Sequence, residues 1–349
     1  MLPPRQTPTL ALLGFMAAMP VHAVTIDMVT VGDPSNAADT TGYGAVAYEY
    51  QIGKYHVTIG QYTAFLNAVA VTDTCSLYNA NMATNLNVAG IAQAGVSGSF
   101  TYSVITNGGI SVNRPITYVS WWDAARFSNW MANGQPTGTQ NSTTTENGAY
   151  NVNGATSGTA PARNLTNPNT GATPTYVIPT ENEWYKAAYY SPVLNSGSGG
   201  YYTYATQSNA APGNIIGSGS NQANYSTGAG YSVTQSSSYS ASQNYLTDVG
   251  AFTNSASFYG TFDQSGNVFQ WNDLDGTPGS SRGLRGGSSL DSASSLLSSF
   301  RYSLATTLES NSTGFRLAAV PVPEPSTYAM ALAGLACGGY SLFRRRKRA

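Results

Sequence analysis

The chain has 349 residues, of which only 9% are Asp, Glu, Lys or Arg, well under the roughly 25% usual in soluble domains. Its formal charge of -1 hides an asymmetry: six of the fifteen basic residues (Arg5, Arg344, Arg345, Arg346, Lys347, Arg348) and one of the sixteen acidic ones (Glu324) lie in the terminal segments, leaving a body of nine basic against fifteen acidic residues, near -6. Such a body lacks the basic footprint of a nucleic-acid binder, its two cysteines (Cys75, and Cys337 in the apolar tail) allow no internal disulfide, and a single histidine beyond residue 23, His56, excludes a multi-histidine metal site.

Residues 1–23 combine Arg5, an apolar run from Leu10 to Met19 and the small-residue end Val21-His22-Ala23. This is the pattern of a signal peptide for the Sec export machinery, with cleavage after Ala23. From Val24 to Tyr55, alternating apolar and polar residues with Gly and Asp-Pro punctuation predict strands and tight turns. Three helix starts follow. Thr58 with Gln61, Ser120 with Asp123, and Thr180 with Glu183 have the spacing of a capping box. After each, apolar residues recur at helical spacing: Tyr62, Phe65, Leu66 and Val69, then Ala124, Phe127, Trp130 and Met131, then Trp184, Ala187 and Ala188. These faces are expected to be core. Glu181 and Glu183 fall in a first helical turn, where the helix dipole favours negative charge, and are not read as a glycosidase pair.

Two long polar insertions, Asn133 to Pro174 and Ser191 to Ser242, are rich in Ser, Thr, Asn and Gly. Their tyrosines supply packing surface, so ordered irregular loops are expected rather than disorder. The segment Asn272 to Gly276 (NDLDG) lacks the rest of an EF-hand and reads as a polar turn. No Gly-rich phosphate loop or HExxH helix is present. Beyond Val320, an apolar run from Thr327 to Phe343 precedes the cluster Arg344 to Arg348. Its 17 residues reach about 26 Å, enough for a membrane-spanning helix whose basic end stays cytoplasmic.

Several of these stretches share wording with one family. KYHVTIGQYTAFLNAV, RPITYVSWWDAARFSNWM, YVIPTENEWYKAAYY, GNVFQW, RGLRGGSS and TGFRLA resemble the landmarks of the sulfatase-modifying-factor family, across about residues 27 to 318. The resemblance implies an α+β domain over residues 24–319 with a C-type-lectin-like fold of short strands, few helices and long irregular loops. Its founding members are formylglycine-generating enzymes, with two cysteines after the RGGS turn that bind copper and perform the oxidation. The matching positions here are Asp291 and Leu296. Neither a carboxylate nor an alkyl group replaces a thiolate as nucleophile or soft-metal ligand, so no catalytic residues and no copper are expected.

The family's GNxWEW loop binds calcium, and its ligand positions carry over to Asp263, Gly266, Val268 and Gln270. Gln270 offers a neutral amide where the family has a carboxylate, which implies weakened binding. His56 stands where the family usually has Glu and is read as structural. Arg282, Arg285, Arg301 and Arg316 surround the C-terminal core; they are expected to pair with Asp291, Asp248 or Glu309, or else to line a groove for an anionic or sugar ligand.

Residues 320–349, with Pro323-Glu324-Pro325, the apolar run 327–343 and the basic end, are similar to the PEP-CTERM sorting signal. That implies inner-membrane anchoring, processing by an exosortase, and delivery to the surface or matrix of a Gram-negative bacterium. The expectation is an exported, non-oxidase binding or structural module in an exopolysaccharide or biofilm setting, with extracellular polysaccharide as partner. The alternative is an enzyme of the formylglycine-generating type, or another activity on the same fold.

Overall fold

A computed structural model describes residues 23–319. The signal-peptide segment before Ala23, Pro323, Glu324, Pro325 and the expected membrane helix 327–343 lie outside the described residues. Among the described residues no helix is long and apolar enough to cross a membrane.

Ten elements frame the molecule. They are β1 (Met28–Val31), β2 (Tyr50–Gly53), α1 (Ile59–Val69), α2 (Trp121–Ala132), α3 (Glu181–Tyr189), β3 (Phe269–Asn272), β4 (Ser281–Arg285), β5 (Tyr302–Ala305), β6 (Thr313–Gly314) and β7 (Ala318–Ala319). One sheet has the order β1-β2-β7, antiparallel throughout, so the first and last strands flank β2. The other has the order β5-β4-β3-β6, with Leu284 opposite Trp271 and a single parallel pair aligning Thr313 with Phe269. The remaining strands form short two-stranded ladders, in keeping with an α+β fold of short strands and few helices.

All three helices begin where the capping spacing places them. Thr58, Ser120 and Thr180 each accept from the backbone N–H three residues on, and the side chains of Gln61, Asp123 and Glu183 accept from the cap N–H in return. Thr58→Ala is therefore expected to cost about 1 kcal/mol, visible as a fall of a few degrees in Tm with little change in the denaturant slope; no shift would mean that α1 is held by packing alone. The apolar stripes are buried as expected, from Tyr62 and Phe65 to Trp130 and Trp184. Phe127 is the hub that joins them: its ring meets Tyr62, Phe65 and Phe315 at 6.1, 5.3 and 5.4 Å, tying α1 and α2 to the C-terminal chain.

The polar insertions are ordered by amide side chains. Asn129 on α2 donates to the carbonyls of Thr145 and Tyr150 and accepts from the Tyr150 N–H. Asn133 serves Thr144 and Asn147, and Asn167 donates to Ala132. Buried loop backbone needs such partners, and asparagine supplies them without charge. The second insertion instead packs aromatic rings, Tyr231 and Tyr239 both lying against Tyr245.

Candidate functional site

The two family cysteine positions lie in a closed part of the molecule. Asp291 is folded back into a turn: its Oδ2 accepts from the N–H and hydroxyl of Ser288, and its carbonyl accepts from Ser226 N–H. Leu296 is fully buried against Tyr204, Ala223 and Tyr225, all from the second insertion. That insertion therefore covers the position, and Leu296 presents no surface to a substrate. Cys75 offers no substitute thiolate. It is buried, its Sγ lies 3.7 Å from Glu146 Oε1, and burial raises its pKa.

Of the expected calcium ligands Asp263 and Gln270 are neighbours, and the Gln270 amide oxygen is already engaged. Gln270 Oε1 accepts from Trp184 Nε1 at 2.7 Å and from the guanidinium of Arg316, while its Nε2 donates to the Asp263 carbonyl. Asp263 Oδ2 accepts from Gly250 N–H at 2.7 Å, and the Val268 carbonyl faces His56 Nε2 at 3.3 Å. Gly266 has φ +84, and a Cβ there would meet the Asn224 carbonyl at 2.1 Å, so this residue serves a close backbone approach. Arg316 is fully buried without a carboxylate partner, held by the carbonyls of Gly53 and Phe262; burial lowers its pKa to about 9 and raises that of Asp263 to about 6. An amide oxygen with both lone pairs in use beside a buried cation does not fit a calcium ion. His56 is buried, and burial followed by Arg316 holds its imidazole neutral, well below its ordinary pKa. It lines a cleft of about 640 Å³ with Tyr55, Asp27 and Asp248, but as a structural group.

The arginines are structural in part, with partners other than those expected. Asp291 binds Ser288, and Glu309 accepts from Asn79. Glu181, the first residue of α3, instead accepts from Arg285 Nε at 2.7 Å and from Arg301 through Nε and Nη2 at 2.8 Å each. Asp273 lies within 3.4 Å of both Arg163 and Arg282 and also accepts from Trp121 Nε1 (2.8 Å) and Tyr150 OH (2.6 Å). Glu183 accepts from Arg163 at 2.7 Å and from Tyr48 OH; burial would raise its pKa, but Arg163 outweighs it and the group is held below its ordinary value. Arg316 takes an amide and carbonyls, and among the described residues it forms no ion pair. The partner of Arg285 comes from far along the chain: β4 runs alongside the start of α3, which brings together residues 104 apart.

Over this network opens a cleft of about 440 Å³, lined by Tyr43, Glu181, Asn182, Asp275, Ser281 and Arg301, among others. The Tyr43 ring is half-buried and lies 4.8 Å from the Arg285 guanidinium and 5.3 Å from that of Arg301. Tyr185, whose ring centroid is 6.0 Å from that of Tyr43, lies at the same 4.8 Å from the Arg285 guanidinium. An aromatic face, an amide, hydroxyls and a partly exposed guanidinium converge here. That is chemistry for holding a polyhydroxylated ligand. The sequence reading named Arg301 but not Tyr43, Asn182, Glu181 as acceptor, or Arg163. The one local sign was the acidic first turn of α3, which the helix dipole alone also explains.

Residues 31–320 match the family model described as the sulfatase-modifying factor enzyme 1-like domain, and residues 321–347 match the PEP-CTERM protein-sorting motif. No curated protein matches the chain. Among solved structures, it is similar to CarF at 20% identity, covering 85% of this chain and 99% of that one with a TM-score of 0.47. It is also similar to Treponema denticola variable protein 1 (18%, 87% and 98%, 0.47) and to PvdO from Pseudomonas aeruginosa (16%, 85% and 92%, 0.40).

Proposed function

The chain belongs to the family of sulfatase-modifying factor enzyme 1-like domains, and from that premise we propose that it is a non-oxidase member which binds extracellular polysaccharide at the cell surface. Its PEP-CTERM motif implies export, membrane anchoring and processing by an exosortase. The observation that carries the binding reading is the cleft of about 440 Å³ with Tyr43, Asn182 and Arg301 in its wall. Sugar rings present C–H faces to aromatic rings and hydroxyls to amides and guanidinium groups. The non-oxidase reading rests on Asp291 and Leu296, one tied into a turn and the other sealed beneath Tyr204 and Tyr225.

The test uses the exported protein on a column of the producing organism's own exopolysaccharide, with and without EDTA. Retention is expected in both conditions, because the Gln270 amide oxygen is occupied by two protein donors beside the buried Arg316 cation. Loss of retention in EDTA would restore a calcium role for the loop, and no retention in either condition would sink polysaccharide binding. Copper content and aldehyde formation on a cysteine-containing sulfatase peptide are both expected to be nil; aldehyde formed in proportion to the protein would establish the enzyme reading instead.

A further inference from the structure

Charge is concentrated around the cleft. Of the nine basic residues in the body of the chain, four (Arg163, Arg282, Arg285 and Arg301) lie in the network beneath and beside it. They pair with three carboxylates, Glu181, Glu183 and Asp273, and the exposed Asp275 on the cleft wall brings the formal balance to four against four. At Glu181 a single carboxylate serves two guanidinium groups.

The two arginines are not equivalent. Arg285 is fully buried and closed in by Tyr43 and Tyr185. Arg301 keeps 35% of its side chain exposed and lines the cleft, and its Nη1 makes no hydrogen bond among the described residues. A guanidinium bound to a carboxylate through one edge still offers the rest of its five donors. The other acid on the cleft wall, Asp275, accepts in its own turn from the N–H and hydroxyl of Thr277 at 3.0 and 2.7 Å. In a body that is acidic as a whole, the cleft is a place where guanidinium groups are concentrated, and the outer edge of Arg301 is left without an acceptor among the described residues.

We propose that the cleft selects acidic polysaccharides, the sugar ring lying on Tyr43 and its carboxylate or sulfate accepting from the outer edge of Arg301. The proposal rests on the polysaccharide-binding reading above and names the class of sugar. Neutral chains gain the stacking and hydroxyl contacts; only acidic chains also gain a charge-assisted hydrogen bond. One factor of ten in affinity corresponds to about 1.4 kcal/mol.

The experiment measures binding of the exported protein to three galactose-based polymers: polygalacturonate, a sulfated galactan and a neutral galactan. The expected result is at least tenfold tighter binding to one or both acidic chains, with the two acidic arms distinguishing carboxylate from sulfate. Arg301→Gln is expected to remove that preference, its loss of affinity falling at least tenfold more heavily on the acidic chains than on the neutral one, and Arg301→Lys to restore part of it. Tm measured alongside shows whether the Gln variant is folded; if it is not, the response of the wild type to added salt carries the test, since screening weakens only the acidic arms. Equal affinity for acidic and neutral chains, or a preference that survives Arg301→Gln, would overturn the proposal while leaving polysaccharide binding intact. Absence of binding to all three overturns it too, and retention on the organism's own polymer then decides separately whether the broader reading stands.

Discussion

Asp273→Ala is expected to destabilise the domain by about 3–5 kcal/mol, the range for removing one partner from a buried ionic network. Asp273 is 1% exposed and stands at the end of β3, where the NDLDG segment turns away from the sheet. Its two oxygens accept from the Trp121 indole at the start of α2 and from the Tyr150 hydroxyl in the first insertion, with Arg163 and Arg282 each 3.4 Å away. Alanine would leave those four donors facing a void in a region closed to water. The two guanidinium groups carry most of the cost, softened by the Glu183 carboxylate and loop carbonyls that each retains. Asp273→Asn keeps the shape and one acceptor, so a smaller loss is expected. Urea unfolding at pH 7 gives the answer: a midpoint shift amounting to less than 1 kcal/mol for the alanine variant would show that this network contributes little to the fold.

What could be read from the sequence divides by range. The capping pairs Thr58–Gln61, Ser120–Asp123 and Thr180–Glu183 span three residues and need no tertiary knowledge, and the buried faces of Phe65, Phe127 and Trp184 follow from helical spacing. Those expectations match the structure. The arginine partners could not be read this way. Arg285 finds Glu181 because β4 and the start of α3 are neighbours in space, and nothing local in either segment encodes that. The covering of Leu296 has the same origin: Tyr204 and Tyr225 lie roughly seventy to ninety residues earlier in the chain, in an insertion whose composition gives no hint of where it folds. Matching motif positions located Asp263 and Gln270 correctly as neighbours, but whether their oxygens are available depends on Trp184 and Arg316, which arrive from two other segments.

Stability is expected to fall by about 1 kcal/mol between pH 6.5 and pH 8, against the common trend of a broad neutral optimum. The group responsible is Asp123, the N-terminal capping acid of α2. Burial, followed by the nearby Glu309, raises its pKa to about 8; both acids line a cavity of about 210 Å³ beside Cys75. A carboxyl group whose pKa is higher folded than unfolded binds more protons in the native state, so its contribution is complete below the unfolded value near 4 and is lost as the pH rises toward 8. The same holds for Asp263 up to its value of about 6, and burial also raises Glu309 and Asp273, which act in the same direction. His56 opposes them up to about a unit above its unfolded pKa of about 6.5, because it is neutral when folded and takes up a proton on unfolding. Lys186, lowered to about 8 by burial, opposes them from the top of the window upward. Asp123 is therefore the largest contributor between 6.5 and 8, and its substitution separates it from the rest. Asparagine at this position can still accept from the Ser120 N–H, as the carboxyl oxygen does at 2.8 Å, but it does not titrate. Urea midpoints for the wild type should decline across the interval while those of Asp123→Asn do not, and a wild-type curve that is flat or rising there would show that the Asp123 side chain carries its charge in the folded domain at little cost.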